Sequence, residues 1–212
     1  MRNADENAKL NEQMWDLRAE TYDSHFSFTF WTLKKLVSML QLGRSSCLLD
    51  LACGTGWLVR YAARLCRGRG EFFGVDVSSK MIEKAQSSSA GYANVHFRKA
   101  NVEQLPFSDD SFDFITCSNA FHHFSNPANV LGEAYRVLKP RGRIYILDAT
   151  ADDFVTKIFG RLAPKLEPAH VKLYSTREYR GLFEKAALRY VTSKPILFSV
   201  KVHIAEKSRA PV

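Results

Sequence analysis

The chain has 212 residues, of which 46% are hydrophobic and 25% are charged. Such a chain suits one soluble globular domain with a sizeable core. No apolar run approaches the roughly 18 residues of a membrane-spanning helix, and the polar start lacks the apolar core of a signal peptide. The four cysteines form no C-x-x-C pair. We therefore expect reduced thiols, no transmembrane segment and a cytoplasmic location.

The net charge is +8, and most of the excess falls in residues 151–212, which carry twelve Lys or Arg against six Asp or Glu. A basic surface can attract nucleic acid, anionic membranes or acidic substrates. No run of consecutive basic residues and no nucleic-acid motif accompanies the charge, however. Nucleic acid is therefore a less favoured partner than a small molecule.

Residues 7–42 predict two helices that end near Gly43. The first helix is expected to present an apolar face containing Met14, Leu17 and Tyr22. Several aromatic residues lie between the two helices. They either pack the helices onto the rest of the protein or form a lid over an apolar substrate.

The stretch from Cys47 to Gly56 predicts a buried strand and a tight turn, and a helical spacing of apolar residues begins at Trp57. Gly54 and Gly56 tolerate unusual backbone angles and allow the backbone to approach a neighbour closely. The free amides at the start of a helix favour a polar or anionic ligand group, and ligands of open parallel sheets bind beyond the carboxyl ends of the strands. A tight turn that binds nothing is the alternative.

A dinucleotide-binding fingerprint needs a third small residue where this chain has Val59, so that fingerprint is incomplete. The run Leu49-Asp-Leu-Ala-Cys-Gly-Thr-Gly56 instead resembles the first motif of the class I S-adenosylmethionine-dependent methyltransferases. In that family the loop holds the methionine end of the cofactor. The resemblance assigns cofactor binding to Asp50, Ala52, Gly54, Thr55 and Gly56.

The segment Ala19-x-x-Tyr22-Asp23 resembles one that many of these methyltransferases fold over their cofactor. The resemblance implies that Tyr22 contacts the methionine moiety. Arg18, four residues earlier in the predicted helix, would contact the carboxylate of that moiety.

A second strand is predicted over Glu71–Asp76. Asp76 stands twenty residues after the glycine loop, where an acid can accept both hydrogen bonds of a ribose diol. A helix cap is the alternative for Asp76, although Ser78 already fits as a cap. This region also resembles the family's Asp-x-Ser-x-x-Met pattern, which implies that Met81 packs on the adenine and that Val77 lies at the cofactor.

A third strand is predicted over Asn94–Lys99, and the run Asn101–Phe107 resembles the family's adenine-binding loop. The family usually has Asp at the place of Asn101. Asn keeps a carbonyl acceptor for the adenine amino group, so we expect binding there that is weaker than with the family's Asp. The amide of Val102 would face adenine N1. An irregular turn that binds nothing is the alternative.

A fourth strand, Phe112–Ser118, places Ser118 at the expected cofactor edge. The following Asn-Ala-Phe-His122-His123 resembles small-molecule members of the family, including the ubiquinone and menaquinone C-methyltransferases. The histidine pair lacks metal-ligand spacing, so no metal site is expected. His123 is the candidate general base, and His122 is expected to be structural. A satisfied structural role is the alternative for His123 as well.

The remaining elements predict the end of a mixed sheet. A fifth strand is expected over Gly142–Asp148, and Ser175–Glu178 predicts a capping box that opens a helix through Ala187. Two β-patterned runs, Tyr190–Leu197 and Phe198–Glu206, would form a final antiparallel hairpin.

One region is less regular. Phe154–Phe159 suggests a helix, and Glu167, His170 and Tyr174 fall where related enzymes vary their substrate pocket.

The chain is thus identified as a class I methyltransferase with one domain over residues 1–212: a helical lid (1–42) and a Rossmann-like core (43–206). The resemblance implies an α/β fold with a doubly wound, seven-stranded, mostly parallel sheet. It also implies in-line methyl transfer from S-adenosylmethionine to a small, apolar or quinone-like acceptor, with S-adenosylhomocysteine as the product. An RNA methyltransferase, a non-catalytic binding protein of this fold and a nicotinamide-dependent oxidoreductase are the alternatives.

Overall fold

The structure is a computed structural model that describes residues 4–25, 27–153, 156 and 169–209. The α-helices are α1 (Ala4–Arg18), α2 (Ser27–Met39), α3 (Trp57–Leu65), α4 (Ser79–Ser87), α5 (Pro127–Val137) and α6 (Thr176–Lys185). The strands are β1 (Cys47–Leu51), β2 (Glu71–Asp76), β3 (Val95–Lys99), β4 (Phe112–Ser118), β5 (Leu138–Ala149), β6 (Leu188–Leu197) and β7 (Val200–Lys207). Short 3-10 helices cover Tyr22–His25 and Phe121–His123.

The seven strands form one sheet in the order β3-β2-β1-β4-β5-β7-β6. The first five strands are parallel, and β7 runs antiparallel to both β5 and β6. The strand order reverses between β1 and β4, and a crevice beyond the carboxyl ends of the strands is expected at such a point. The predicted seven-stranded, mostly parallel sheet is confirmed.

Two apolar cores lie on opposite faces of this sheet. Successive side chains of a strand point to opposite faces, so Leu48 joins the core beneath α2 and α3, whereas Leu49 joins the core beneath α5 and α6. Both leucines are fully buried. Helices therefore cover both faces, as a doubly wound fold requires. Within the described ranges, no helix is long and apolar enough to cross a bilayer.

The fifth strand is longer than predicted. It begins at Leu138 rather than at Gly142, because Leu138 already pairs with Phe112 on β4. The register then shifts, and the intervening residues, which include Arg141 with a φ of 67°, form a bulge. The residues just before Gly142 therefore form an irregularity within the strand.

The closing helix and hairpin match the prediction except at their ends. The capping box between Ser175 and Glu178 is confirmed. The helix stops at Lys185, and Phe198 lies in the hairpin turn with a φ of 42° rather than in a strand. The suggested helix around Phe154–Phe159 lies outside the described residues apart from Thr156, as does Glu167.

The predicted apolar face of the first helix is wrong. Leu17 is 82% exposed, and Tyr22 belongs to the following 3-10 helix rather than to α1. The buried positions of α1 include Asn7 and Asn11. The reason is that α1 packs against α4 and against the turn around His123, where polar backbone groups need partners.

His203 on β7 is a buried titratable group in the core. Its ring stacks on that of Tyr179 with a centroid separation of 3.9 Å, and neither ring nitrogen has a hydrogen-bond partner in the described part of the chain. Burial lowers the pKa of His203 to about 4, and nearby Lys201 adds to this, whereas Asp152 and Asp148 oppose it in part. The native protein therefore holds His203 neutral.

We expect this buried histidine to make the protein acid-labile. Between pH 6.5 and about 4 the unfolded chain binds a proton at His203 that the native protein does not, so the free energy of unfolding falls as the pH falls through this window. The full difference amounts to about 3 kcal/mol. Urea denaturation at pH 7 and pH 4.5 should show that His203→Leu removes most of this loss. His96→Leu, on the exposed side of β3, is the control and should retain it; an equal acid loss in His203→Leu would contradict the assignment.

Candidate functional site

A cleft opens at the carboxyl ends of the central strands, which is where ligands of open parallel sheets bind. Predicted residues that line it from the β1 and β2 side are Tyr22, Ala52, Gly54, Asp76, Val77 and Met81. From the β3 and β4 side they are Asn101, Val102, Ser118 and His123. Three further predicted residues, Asp50, Thr55 and Gly56, lie behind this lining.

Asp76 connects the two loops that follow β1 and β2. Its Oδ2 accepts a hydrogen bond from the amide of Gly54 at 2.8 Å, and its Oδ1 accepts one from the amide of Ser78 at 2.9 Å. A carboxylate oxygen can accept two hydrogen bonds, so each oxygen keeps capacity for a ligand hydroxyl. Ser78 Oγ accepts from the amide of Met81 and caps α4, so Asp76 is not the cap. Burial raises the pKa of Asp76, and these amide bonds oppose that rise.

Tyr22 covers the glycine loop. A Cβ placed on Gly54 would lie 3.4 Å from the Tyr22 ring, and the φ of 54° at this glycine is one that other residues rarely adopt. Burial raises the pKa of Tyr22, and nearby Asp76 adds to the effect, so the phenol stays protonated. Ala52, which also lines the cleft, has a φ of 53° although it is not glycine. Such strained backbone positions cluster at functional sites.

Gly56 serves the packing behind the cleft. A Cβ at this position would lie 2.3 Å from the ring of Phe97 and 3.1 Å from Ala85. Thr55 donates a hydrogen bond to Asp23 at 2.8 Å, which ties the loop to the segment that carries Tyr22. Both residues therefore shape the loop from its outer side.

Asp50 lies inside the sheet, where its Oδ1 accepts a hydrogen bond from Thr116 Oγ1 at 2.7 Å. Burial raises the pKa of Asp50 to about 7; the Thr116 bond lowers it, and the neighbouring Asp76 carboxylate raises it further. Asp50 is thus a buried acid beneath the loop.

The cleft lining also includes two apolar residues, Met81 and Val102, which are both buried. Asn101 also lines the cleft, and its Oδ1 accepts a hydrogen bond from the amide of Glu103 at 2.9 Å. This Asx-type turn leaves one lone pair on the Asn101 oxygen for a ligand.

His123 also lines the cleft, and its side chain is buried. Its Nδ1 lies 3.1 Å from the carbonyl oxygen of Ala169. A carbonyl can only accept, so Nδ1 carries the proton, and Nε2 is the acceptor nitrogen of the neutral ring. The ring of Trp15 meets His123 edge to face with centroids 5.5 Å apart.

His122 holds the turn that presents His123. Its ring Nδ1 lies 2.7 Å from Asp148 Oδ1, and its amide donates to Asp148 Oδ2 at 3.0 Å. Burial alone would raise the pKa of Asp148, but the attraction and hydrogen bonds of His122 outweigh it and lower the pKa. His122 does not line the cleft, and its carbonyl accepts from the amides of Val171 and Lys172. These contacts fit the structural role expected of it.

The cleft also contains residues that the sequence reasoning missed. Asn7, Asn11 and Trp15 line it from α1, where they stand four residues apart on one helix face. This spacing was the available signal, and it is polar rather than apolar. Asn119 lines the cleft after β4 with a φ of 52°, an angle that asparagine tolerates. Arg18 is exposed, its guanidinium 5.3 Å from the Trp15 ring centroid, and it does not line the cleft.

Comparisons with known proteins agree with this geometry. The family described as "Methyltransferase domain" matches residues 49–146. The ubiquinone/menaquinone biosynthesis C-methyltransferase UbiE of Marinomonas sp. (strain MWYL1) is 30% identical over 192 residues, which cover 85% of this chain and 76% of UbiE.

Two further relatives share parts of the sequence or the fold. The uncharacterized methyltransferase YcgJ of Bacillus subtilis is 39% identical over 124 residues, and this match spans 57% of the chain and about half (49%) of the length of YcgJ. A chain in the solved complex of the Haloferax volcanii Trm112 methyltransferase activator with a methyltransferase superposes with a TM-score of 0.83. That match covers 92% of this chain and 98% of the other at 22% identity, so it shows the fold alone.

The cleft fits an adenosyl ligand on its own chemistry. Asp76 has acceptor capacity for a diol, the lining residue Val102 is apolar, and Gly54 lies close to the Tyr22 ring that covers the loop. The family match, the UbiE relative and this donor set point the same way. The chain belongs to the class I S-adenosylmethionine-dependent methyltransferases, whose cofactor is S-adenosylmethionine.

Proposed function

We propose that the chain methylates a small, apolar or quinone-like acceptor. One observation carries the proposal: the cleft that Asp76 and Gly54 line is also lined by Trp15, Tyr22 and the buried His123. The names of the UbiE and demethylmenaquinone methyltransferase relatives support a quinone-like acceptor. Among the described residues, the lining includes the acids Asp76 and Glu103 and no Lys or Arg, so this part of the site offers an RNA backbone no cationic partner.

When bound, S-adenosylmethionine would supply an activated methyl group for in-line transfer to a nucleophile of the acceptor, with S-adenosylhomocysteine as the leaving group. Asp76 would hold the ribose hydroxyls, and Met81 and Val102 would enclose the adenine. Tyr22 and Trp15, whose ring centroids lie 5.9 Å apart, would place aromatic faces near the cationic sulfur. Asn101 would also contact the cofactor, through the remaining lone pair of its side-chain oxygen. Ser118, Ala52 and Val77, which line the same cleft, would contact it as well.

His123 would act as the general base where the acceptor must lose a proton. Its Nε2 is the acceptor nitrogen of the neutral ring, and the Nδ1 proton remains bound to the carbonyl of Ala169. A proton taken by Nε2 creates an imidazolium that this carbonyl stabilises. A fixed tautomer and orientation are what base catalysis requires.

Residues 1–42 would form the lid and residues 43–206 the core. The contacts of α1 with the core are largely polar, including Asp16 with Ser78 and Glu12 with Lys99. Exposed ion pairs contribute little to stability, so α1 can move without a large loss of apolar burial. We propose that this helix closes over the acceptor and excludes water.

The proposal is tested by offering labelled S-adenosylmethionine with naphthols, hydroquinones, small acids and RNA. We expect label in an aromatic hydroxyl compound or its ring. Label in RNA, with binding that falls steeply as salt rises, would support the RNA alternative instead. Binding of S-adenosylhomocysteine with no transfer to any compound would favour the non-catalytic alternative.

With the acceptor found, His123→Gln is expected to slow turnover by about 100-fold or more, because a positioned base typically contributes that much. The affinity for S-adenosylhomocysteine should stay within threefold of wild type. His96→Gln, an exposed histidine on β3, is the control and should keep full turnover. Equal turnover in His123→Gln would remove His123 from the reaction.

A further inference from the structure

Asn11 occupies the middle of the α1 face that covers the cleft, one helical turn from Asn7 and from Trp15. Its Nδ2 lies 3.0 Å from the carbonyl oxygen of Asn7 and 3.5 Å from that of His123. Both partners are carbonyl oxygens, which only accept. The amide nitrogen must therefore face them, and the side-chain oxygen of Asn11 must face the other way.

That oxygen has no hydrogen-bond partner within the described residues, although Asn11 is only 9% exposed. A buried carbonyl without a donor is unfavourable, and most such groups in folded proteins find a partner in protein, water or ligand. Because Asn11 lines the cleft, a donor on a bound ligand is the partner that its position makes available.

The contacts of Asn11 place it beside His123, the proposed base, rather than beside the loops that carry Gly54 and Asp76. Its amide is fixed on the main chain of His123, and so is that of Asn7, which donates to the same carbonyl at 2.9 Å. The groups that fit the adenosyl moiety, Asp76 and Gly54, belong to the loops after β1 and β2. Asn11 Oδ1 is an acceptor, so a ligand group that meets it must donate.

We propose that Asn11 is a specificity residue whose Oδ1 accepts a hydrogen bond from a hydroxyl or N–H group of the methyl acceptor. The acceptor class is thereby narrowed to apolar molecules that carry a hydrogen-bond donor beside the methylated atom. A fully alkylated or oxidised analogue, which has no donor, leaves the Asn11 oxygen buried and unpaired and is rejected. This inference rests on the proposed function and specifies its substrate.

The test compares two probes by calorimetry on the full chain saturated with S-adenosylhomocysteine: 1-naphthol, which carries a donor, and 1-methoxynaphthalene, in which a methyl group replaces the hydroxyl proton. We expect wild type to bind 1-naphthol at least tenfold more tightly, a difference of about 1.4 kcal/mol. Asn11→Leu should bind the two probes equally and keep its affinity for S-adenosylhomocysteine within threefold. Asn11→Ala, which also removes the side-chain acceptor, gives the same readout should the leucine variant fail to fold.

Asn129→Leu, an exposed position on α5 outside the cleft lining, is the matched control and should keep the tenfold preference. Equal binding of the probes to wild type, or a preference that survives in both Asn11 variants, would overturn the inference. A tenfold or greater loss of S-adenosylhomocysteine affinity in these variants would also overturn it, because Asn11 would then be a cofactor ligand. Failure of wild type to bind S-adenosylhomocysteine at all would instead contradict the proposed function.

Discussion

Replacing Asp76 with alanine is expected to weaken the binding of S-adenosylhomocysteine by about 100-fold or more. Two hydrogen bonds from a ribose diol to a carboxylate would be lost, and each bond to a charged group contributes about 1.5–3 kcal/mol. The substitution also leaves the amides of Gly54 and Ser78 without the acceptor that fixes both loops. Calorimetric titration of the folded variant measures the effect.

Asp113→Ala is the matched control for this experiment. Asp113 also accepts a backbone amide, that of Cys47 at 2.8 Å, and pairs with Lys139, but it lies near the start of β4, at the opposite end of the strand from the cleft. We expect a modest loss of stability and unchanged affinity. A folded Asp76→Ala protein that binds S-adenosylhomocysteine as well as wild type would exclude Asp76 as the ribose ligand.

Gly56→Ala is expected to lower the free energy of unfolding by about 3 kcal/mol, combining an overpacked core with a backbone angle that alanine resists. The added methyl group would lie 2.3 Å from the ring of Phe97, and the φ of 75° belongs to the left-handed region. Phe97 also packs against Gly74, where a Cβ would lie 2.7 Å from the ring, so it has little room to withdraw. Urea denaturation at pH 7 gives the value.

The same exchange at Gly132 serves as its control. Gly132 lies within α5 with no atom within 4 Å of an added Cβ, so Gly132→Ala should raise stability by up to about 1 kcal/mol through helix propensity. Opposite signs for the two variants are the expected result. Comparable stability of Gly56→Ala and wild type would contradict the close packing between this glycine and Phe97.

The residues around Gly54 and Asp76 could be predicted to meet at one cleft because their signals are local. The strand, turn and helix around Gly54 lie within one short stretch, and Asp76 stands at a spacing set by one helix and the next strand. The alternation of strands and helices predicted only an α/β fold, and the seven-stranded sheet was implied by the resemblance to the methyltransferase family. Even here the motif did not separate ligand contacts from packing: Gly56 and Asp50 belong to it but lie behind the cleft lining.

The part of the cleft lining around His123 could not be predicted in this way, since its contacts join distant parts of the chain. Asn7 meets the carbonyl of His123 across 116 residues, and the tautomer of His123 depends on Ala169. The predicted apolar face of the first helix included Leu17, which is exposed, whereas the buried positions of α1 include asparagines. An apolar period cannot reveal a helix that docks through amide groups.

The most direct test of the account is a calorimetric titration of the wild-type chain with S-adenosylmethionine, S-adenosylhomocysteine and NAD. We expect both adenosyl compounds to bind at one site and to compete with each other, and we expect NAD neither to bind nor to displace them. Binding of NAD in their place, or no binding of either adenosyl compound, would contradict the assignment of this cleft to S-adenosylmethionine.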